Sequence, residues 1–317
     1  MNSFTSNSSF SLLNSICNGA QYLPCTINRS IPFLPIIFVI FSLISGYYFV
    51  IISTFNLHSF TNTSLFHSLS NSLFYLLFHI LYLFILISYL LCVFTDPGTI
   101  PISWKRSSNS TQHENPLIPL NERDSDGNLR FCKHCMNYKP DRSHHCKSCR
   151  KCILKMDHHC VFIANCVGFY NQKYFILFLI TSWIGCILAS ITGFHSVQHF
   201  LFHSTESNQN SSRFPLILIM YVVIVSMTAS LSVFVPFHCY LTSIGLTTIE
   251  SYENMNASRM NMLKFYDRGC FMNWKSTCGD SIWTWFLPIR YSIQGNGLNY
   301  NLNHHQTSEF LSDTDII

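Results

Sequence analysis

The residues able to do chemistry in this 317-residue chain are concentrated in one short stretch. Of its 14 Cys, seven lie between Cys132 and Cys166. The run reads Cys132-x2-Cys135-x9-His145-Cys146-x2-Cys149-x2-Cys152-x4-Asp157-His158-His159-Cys160-x5-Cys166, and the same window also holds His134 and His144. Thiolate and neutral imidazole are the donors of tetrahedral zinc. One C-x2-C pair is a weak sign of such a site. Two pairs interleaved with His, in a segment with little core-forming material, are a strong one, because the metal then supplies folding energy. Two closed sites take about eight donors. Six Cys and two His would fill two Cys3His sites and leave one thiol over. Parity does not say which Cys that is, but a thiol outside a metal cage is free to act as a nucleophile.

The elements that must position this stretch are apolar. Hydrophobic residues make up 48% of the chain and charged residues only 11%, well below the quarter or so that a soluble surface carries. No Asp, Glu, Lys or Arg occurs from Ser30 to Thr95, from Tyr174 to Thr205 or from Phe214 to Ile249. Four tracts, 31–55, 73–94, 174–194 and 214–237, reach the roughly 20 apolar residues a bilayer span needs. In lipid they must be helices despite their many Phe, Ile and Val, because only a helix satisfies its own backbone there. The expected fold class is therefore an all-α membrane protein of four transmembrane helices, with a zinc-stabilised cysteine-rich domain between helices 2 and 3.

The remaining expected divisions are a polar tail (1–30), a linker (95–129), the cysteine-rich domain (130–173) and a C-terminal region (241–317). The linker reads as flexible over 103–129, and residues 1–15 and 292–317 as poorly ordered. Of the 19 Lys and Arg, 12 fall between Lys105 and Lys173, and only Arg213 falls in the two short loops that join the spans pairwise. The positive-inside rule then puts both termini and the cysteine-rich domain in the cytosol. In that reducing compartment clustered Cys are metal ligands or catalysts rather than disulfides. Asn62 and Asn210 head glycosylation sequons on the opposite side, and Asn109 heads one on the cytosolic side.

Asp157-His158-His159-Cys160 within the full cysteine spacing resembles the DHHC-type protein S-acyltransferases, or palmitoyltransferases. The resemblance extends to Asp96-Pro97-Gly98, to Thr247-Thr248-Ile249-Glu250 (the family's TTxE), and to Tyr266-Asp267-Arg268-Gly269 with Asn273 and Gly279. Cys278 stands where the family usually has an aromatic residue or Leu. The resemblance covers about residues 31–290. It implies that Cys132, Cys135, His145 and Cys152 hold one structural zinc and that Cys146, Cys149, His159 and Cys166 hold the other. It further implies that Cys160 carries the acyl intermediate, with Thr247, Thr248, Glu250 and Asn273 in support.

A free thiol, with pKa about 8.5, is only slightly ionised at neutral pH. His158 is expected to take its proton if the chain turns there, and Asp157 to orient the imidazole. The donor implied is palmitoyl-CoA or another long-chain acyl-CoA, with loop Arg and Lys meeting its phosphates. The acceptors are cysteine thiols of membrane-associated proteins. The lipid bilayer is the other partner, no nucleic acid is expected, and the compartment is read as ER or Golgi. The competing reading is a non-enzymatic, membrane-anchored zinc-finger interaction module. A RING-type ligase would need a further C-x2-C pair after Cys152. A channel or transporter is disfavoured because no Asp, Glu, Lys or Arg lies within a span. Thr247, Thr248 and Glu250 could also simply cap a helix. His79 and His195 are expected to sit at interfaces or bond a neighbour rather than act in chemistry, and Pro236 to kink its helix.

Overall fold

The computed structural model describes residues 33–58, 65–101, 104, 122–124, 126–203, 214–253, 266–289 and 295–300. The sequons at Asn62, Asn109 and Asn210 and the tail 1–15 lie outside them. Among the described residues, four helices are long and apolar enough to cross a membrane. They are α1 (Phe33–His58), α2 (Leu65–Phe94), α3 (Gln172–His203) and α4 (Phe214–Ser243). Each runs beyond the apolar tract read from the sequence, because the helix continues into polar residues at its ends. Large apolar side chains such as Phe41, Leu76, Ile191 and Val233 are exposed along them, as lipid-facing positions require. Helix α3 is the centre of the bundle and packs on α1, α2 and α4. Gly193 allows one of these close approaches, since a Cβ there would lie 2.8 Å from the Phe49 ring. His79 does bond a neighbour, its Nε2 lying 2.9 Å from Tyr47 Oη on α1. Pro236 lies inside α4.

Between α2 and α3 the chain forms three two-stranded antiparallel hairpins. They pair β1 (Phe131–Cys132) with β2 (Asn137–Tyr138), β3 (His144–Cys146) with β4 (Lys151–Ile153), and β5 (His158–Cys160) with β6 (Asn165–Val167). Strands of two or three residues are too short to be stable alone, and the apolar cluster of the module itself is small: Cys146, Ile153, Met156 and Cys166. Beyond α4 come α5 (Thr248–Glu253), α6 (Cys270–Cys278) and the single turn α7 (Ile282–Trp285).

The hairpin module is clamped to the membrane helices by specific polar contacts. The last carbonyls of a helix have no partner within it. At the end of α2, Asn165 Nδ2 donates to the carbonyls of Cys92, Val93 and Thr95 at 3.1, 3.3 and 2.9 Å. Asp96 then turns the chain by accepting from the backbone N–H of Gly98 and of Thr99 at 2.8 and 2.7 Å. Gly98 sits at φ 113, and its carbonyl accepts from Leu154 N at 2.7 Å. Gly168 closes the same seam, where a Cβ would lie 2.4 Å from Pro97 O.

Two segments differ from the sequence expectation. The linker is docked at both ends rather than loose. Trp104 is buried and donates to Tyr138 O at 2.9 Å, and Glu122 is buried in an ion pair with Arg130. Residues 295–300 are also docked, with the Tyr300 ring 5.2 Å from the Arg142 guanidinium and 5.6 Å from the Tyr266 ring. Burying a buried-side cation against two aromatic rings supplies a reason for order that composition does not reveal.

Candidate active site and metal centres

Side chains on a strand alternate faces, and that alternation sorts the ligands. On β3, His145 and Cys146 point to opposite sides and join different clusters. One cluster is Cys132, Cys135, His145 and Cys152; the other is Cys146, Cys149, His159 and Cys166. His145 Nδ1 lies 3.5, 3.4 and 3.8 Å from the sulfurs of Cys132, Cys135 and Cys152. His159 Nδ1 lies 3.6, 3.4 and 3.6 Å from those of Cys146, Cys149 and Cys166. Zn–N and Zn–S bonds of about 2.0–2.3 Å give tetrahedron edges of roughly 3.3–3.8 Å. Both donor sets therefore fit zinc, and each is complete with four protein ligands.

The same alternation separates β5. His159 turns into the second cluster and pairs across the hairpin with Cys166. His158 and Cys160, two residues apart on an extended strand, share the opposite face. The sequence reading required a chain turn to bring them together; a strand does it instead. Cys160 belongs to neither donor set and is half-buried.

A line of hydrogen bonds backs this face. Asp157 Oδ2 accepts from His158 Nδ1 at 2.7 Å. The same carboxylate accepts from Thr248, through N at 2.8 Å and Oγ1 at 2.7 Å. His158 in turn is in hydrogen-bonding contact with the Cys160 thiol. Burial works to raise the thiol, but the bond to His158 and its charge outweigh that and hold Cys160 below its ordinary value. Burial works to lower His158, but the bonds to Asp157 and Cys160 raise it to about 9. Burial likewise works against the Asp157 carboxylate, and the bond to His158 together with nearby positive charge keeps it low. Carboxylate, imidazolium and thiolate are thus mutually stabilised.

Thr248 reaches Asp157 because α5 is rigidly capped. Thr247 Oγ1 accepts from Glu250 N at 3.2 Å, and Glu250 Oε2 accepts from Thr247 N at 2.8 Å, a reciprocal capping box. Glu250 also takes a bidentate bond from Arg142, with Nε and Nη2 both at 2.6 Å. The capping role weighed from the sequence is therefore real, and it serves the site. Asn273 is one shell further out: its Nδ2 donates to Ser243 O at 2.9 Å at the end of α4.

Sequence reasoning missed several residues of this frame. Arg142, Arg130 and Lys155 had been grouped among loop cations available to phosphates, but all three are buried. Arg142 is held by Glu250, Arg130 by Glu122, and Lys155 donates to Thr277 Oγ1 at 3.2 Å. Asn165 gave no signal beyond its place next to Cys166. His238 on α4, which did carry one, lies beside Asp157: an ionisable residue in an apolar span is functional by default.

Comparison with known proteins places this arrangement in a class, membrane-embedded acyl-transfer proteins with a zinc-bearing thiol domain. The family model described as DHHC palmitoyltransferase matches residues 125–255. Palmitoyltransferase ZDHHC20 of Homo sapiens is 29% identical over 290 residues, covering 86% of this chain and 77% of that protein. Probable protein S-acyltransferase 14 of Arabidopsis thaliana is 31% identical over 243 residues, covering 71% and 76%. Probable protein S-acyltransferase 12 of the same plant is 30% identical over 212 residues, covering 67% and 71%. The chain belongs to the DHHC palmitoyltransferase family.

Proposed function

We propose that the protein is a protein-cysteine S-palmitoyltransferase that works through an acyl-Cys160 intermediate. The observation that carries this reading is the Asp157–His158–Cys160 line, with the thiol outside both donor sets and next to an imidazole fixed by a buried carboxylate. The Cys160 thiolate attacks the thioester carbonyl of palmitoyl-CoA or another long-chain acyl-CoA. The bond from carbonyl carbon to Cys160 Sγ forms, the bond to the CoA sulfur breaks, and the departing thiolate takes the proton from His158. A substrate cysteine then gives its proton to His158 and attacks the acyl-Cys160 carbonyl, and Cys160 leaves as the thiolate. Asp157 stays ionised throughout and holds the imidazole in place.

The two Cys3His sets hold zinc as closed structural sites, without an open position for substrate. Zinc supplies folding energy to hairpins that have almost no apolar core. The chain divides into the four spans, a zinc-bearing catalytic module and a C-terminal region that braces it. The module faces the cytosol, where its Cys stay reduced, and an ER or Golgi membrane is the proposed location. Cysteine-containing membrane-associated proteins are the acceptors. Exposed Lys133, Lys147 and Arg150 remain for the CoA phosphates, since the inner cations are occupied. Incubation of the purified protein with a clickable palmitoyl-CoA tests the reading. A hydroxylamine-labile adduct on Cys160 that is chased onto an acceptor thiol supports it; a stable metal-binding protein with no adduct supports the interaction-module alternative.

A further inference from the structure

Helix α4 reaches the reactive face twice. Its continuation into α5 delivers Thr248 to one side of Asp157. One and a half turns before its end it also presents His238, which is buried, with Nδ1 4.0 Å from Asp157 Oδ2. That separation is too long for a hydrogen bond, and the imidazole bonds no other side chain among the described residues. It is nevertheless close packed. The His238 ring lies 5.8 Å from the His158 ring and meets Phe175 edge-on at 5.2 Å, and Phe175 meets His158 edge-on at 5.1 Å. His158, Phe175 and His238 thus form a triangle of rings over the buried carboxylate.

Asp157 Oδ2 already accepts two short bonds, from His158 and from Thr248. A second imidazole at 4.0 Å therefore acts through its field and its shape rather than as a direct donor. A polar ring at this depth is costly unless it is turned inward to a partner, and an aliphatic or Phe side chain would fill the same space at no such cost. What a nitrogen adds here is a dipole aimed at the carboxylate that orients His158.

We infer that His238 is a positioning residue for the acyl-transfer centre: with Phe175 it fixes the His158 ring, and its Nδ1 edge keeps Asp157 oriented as the partner of His158. This role rests on the assignment of Cys160 and His158 as the reactive pair. It predicts that His238 affects the rate of Cys160 acylation but neither acyl-CoA binding nor the zinc sites. Misplacement of a reacting group by a fraction of an ångström is enough for such an effect.

The test is single-turnover acylation of Cys160 by palmitoyl-CoA in the full-length, detergent-solubilised protein, with zinc content measured on each sample. His238→Phe keeps ring packing and removes the nitrogens. It should acylate roughly ten-fold more slowly at saturating palmitoyl-CoA, with half-saturation and zinc unchanged, and His238→Gln should recover most of the rate. An unchanged rate in His238→Phe overturns the inference. So does a change confined to half-saturation, or a loss of zinc in both variants, since each would make His238 part of the acyl-CoA pocket or of the scaffold. The parent protein is run alongside. If it forms no Cys160 adduct, the assignment of the reactive pair fails; if it does and His238→Phe matches it, His238 alone fails.

Discussion

At the scale of single residues, one strand decides which side chains join a donor cluster and which are proposed to react. His158, His159 and Cys160 are adjacent in sequence, yet the pleat sends His159 to the Cys146 cluster and leaves His158 with Cys160. Replacing His158 with Ala should leave both metal clusters filled and slow Cys160 acylation by about 100-fold or more, the usual scale for a lost general base. Stopped-flow release of CoA with zinc analysis of the same sample measures both. Lys155 makes a second residue-scale prediction. Burial, with the Arg142 charge adding to it, pushes its ammonium down to about 7. From about pH 7 up to the ordinary Lys value of about 10.4, the unfolded chain holds a proton that the folded protein has shed. Stability attributable to this group therefore rises with pH across that window and is lowest below it. Lys155→Met should accordingly raise the melting temperature relative to the parent most at pH 7 and below. That gap should shrink as the pH approaches 10; a gap independent of pH would show that Lys155 is not held in this state.

At the scale of elements, the short helix α5 links the metal module to the membrane helices. Its capping box and its bidentate bond from Arg142 both use Glu250, whereas its grip on Asp157 uses Thr248, so the bracing and the grip can be removed separately. Thr248→Val removes the hydroxyl bond to Asp157, keeps the backbone one, and should slow acylation while leaving metal content and thermal stability close to the parent's. Glu250→Ala strands the Arg142 charge, and breaking a buried pair in this way costs about 3–5 kcal/mol. It should lower the melting temperature and the yield of folded protein in detergent, and thermal melts of the two variants side by side would show the difference. The four spans were legible in the sequence because charge-free tracts of that length have one solution in lipid. The Cys and His that gather into two clusters were legible because metal donors are few in kind. The bracing was not. Asn165 capping α2, Glu122 accepting from the Arg142 backbone N–H, and Tyr300 stacked on the same Arg are contacts between segments far apart in the chain, made by residue types that are usually solvated. Their partners, not their own pattern, bury them. The extended geometry of β5 was hidden for a related reason: a three-residue strand has no periodicity to read.

At the scale of the whole molecule, four apolar helices carry the module with the two Cys3His donor sets at one end, and Cys160, the proposed nucleophile, packs where the two meet, against an apolar cluster that includes Tyr89, Ile163 and Phe175. Under the proposed mechanism, that placement would keep an acyl chain among the helices and CoA in water. The orientation has its own check. Asn62 and Asn210 should be the sequons open to glycosylation and Asn109 should stay bare; a glycosidase-sensitive shift that is lost on Asn109→Gln would reverse the assigned sides. The central claim is that Cys160 is a nucleophile and not a metal ligand. The most direct measurement is made on purified Cys160→Ser, with zinc content and acyl adduct determined on one sample. A serine hydroxyl is scarcely ionised at neutral pH, so the variant should bind two zinc like the parent, form no hydroxylamine-labile adduct and transfer no acyl group. Loss of zinc together with activity, or transfer that persists without Cys160, would contradict the account.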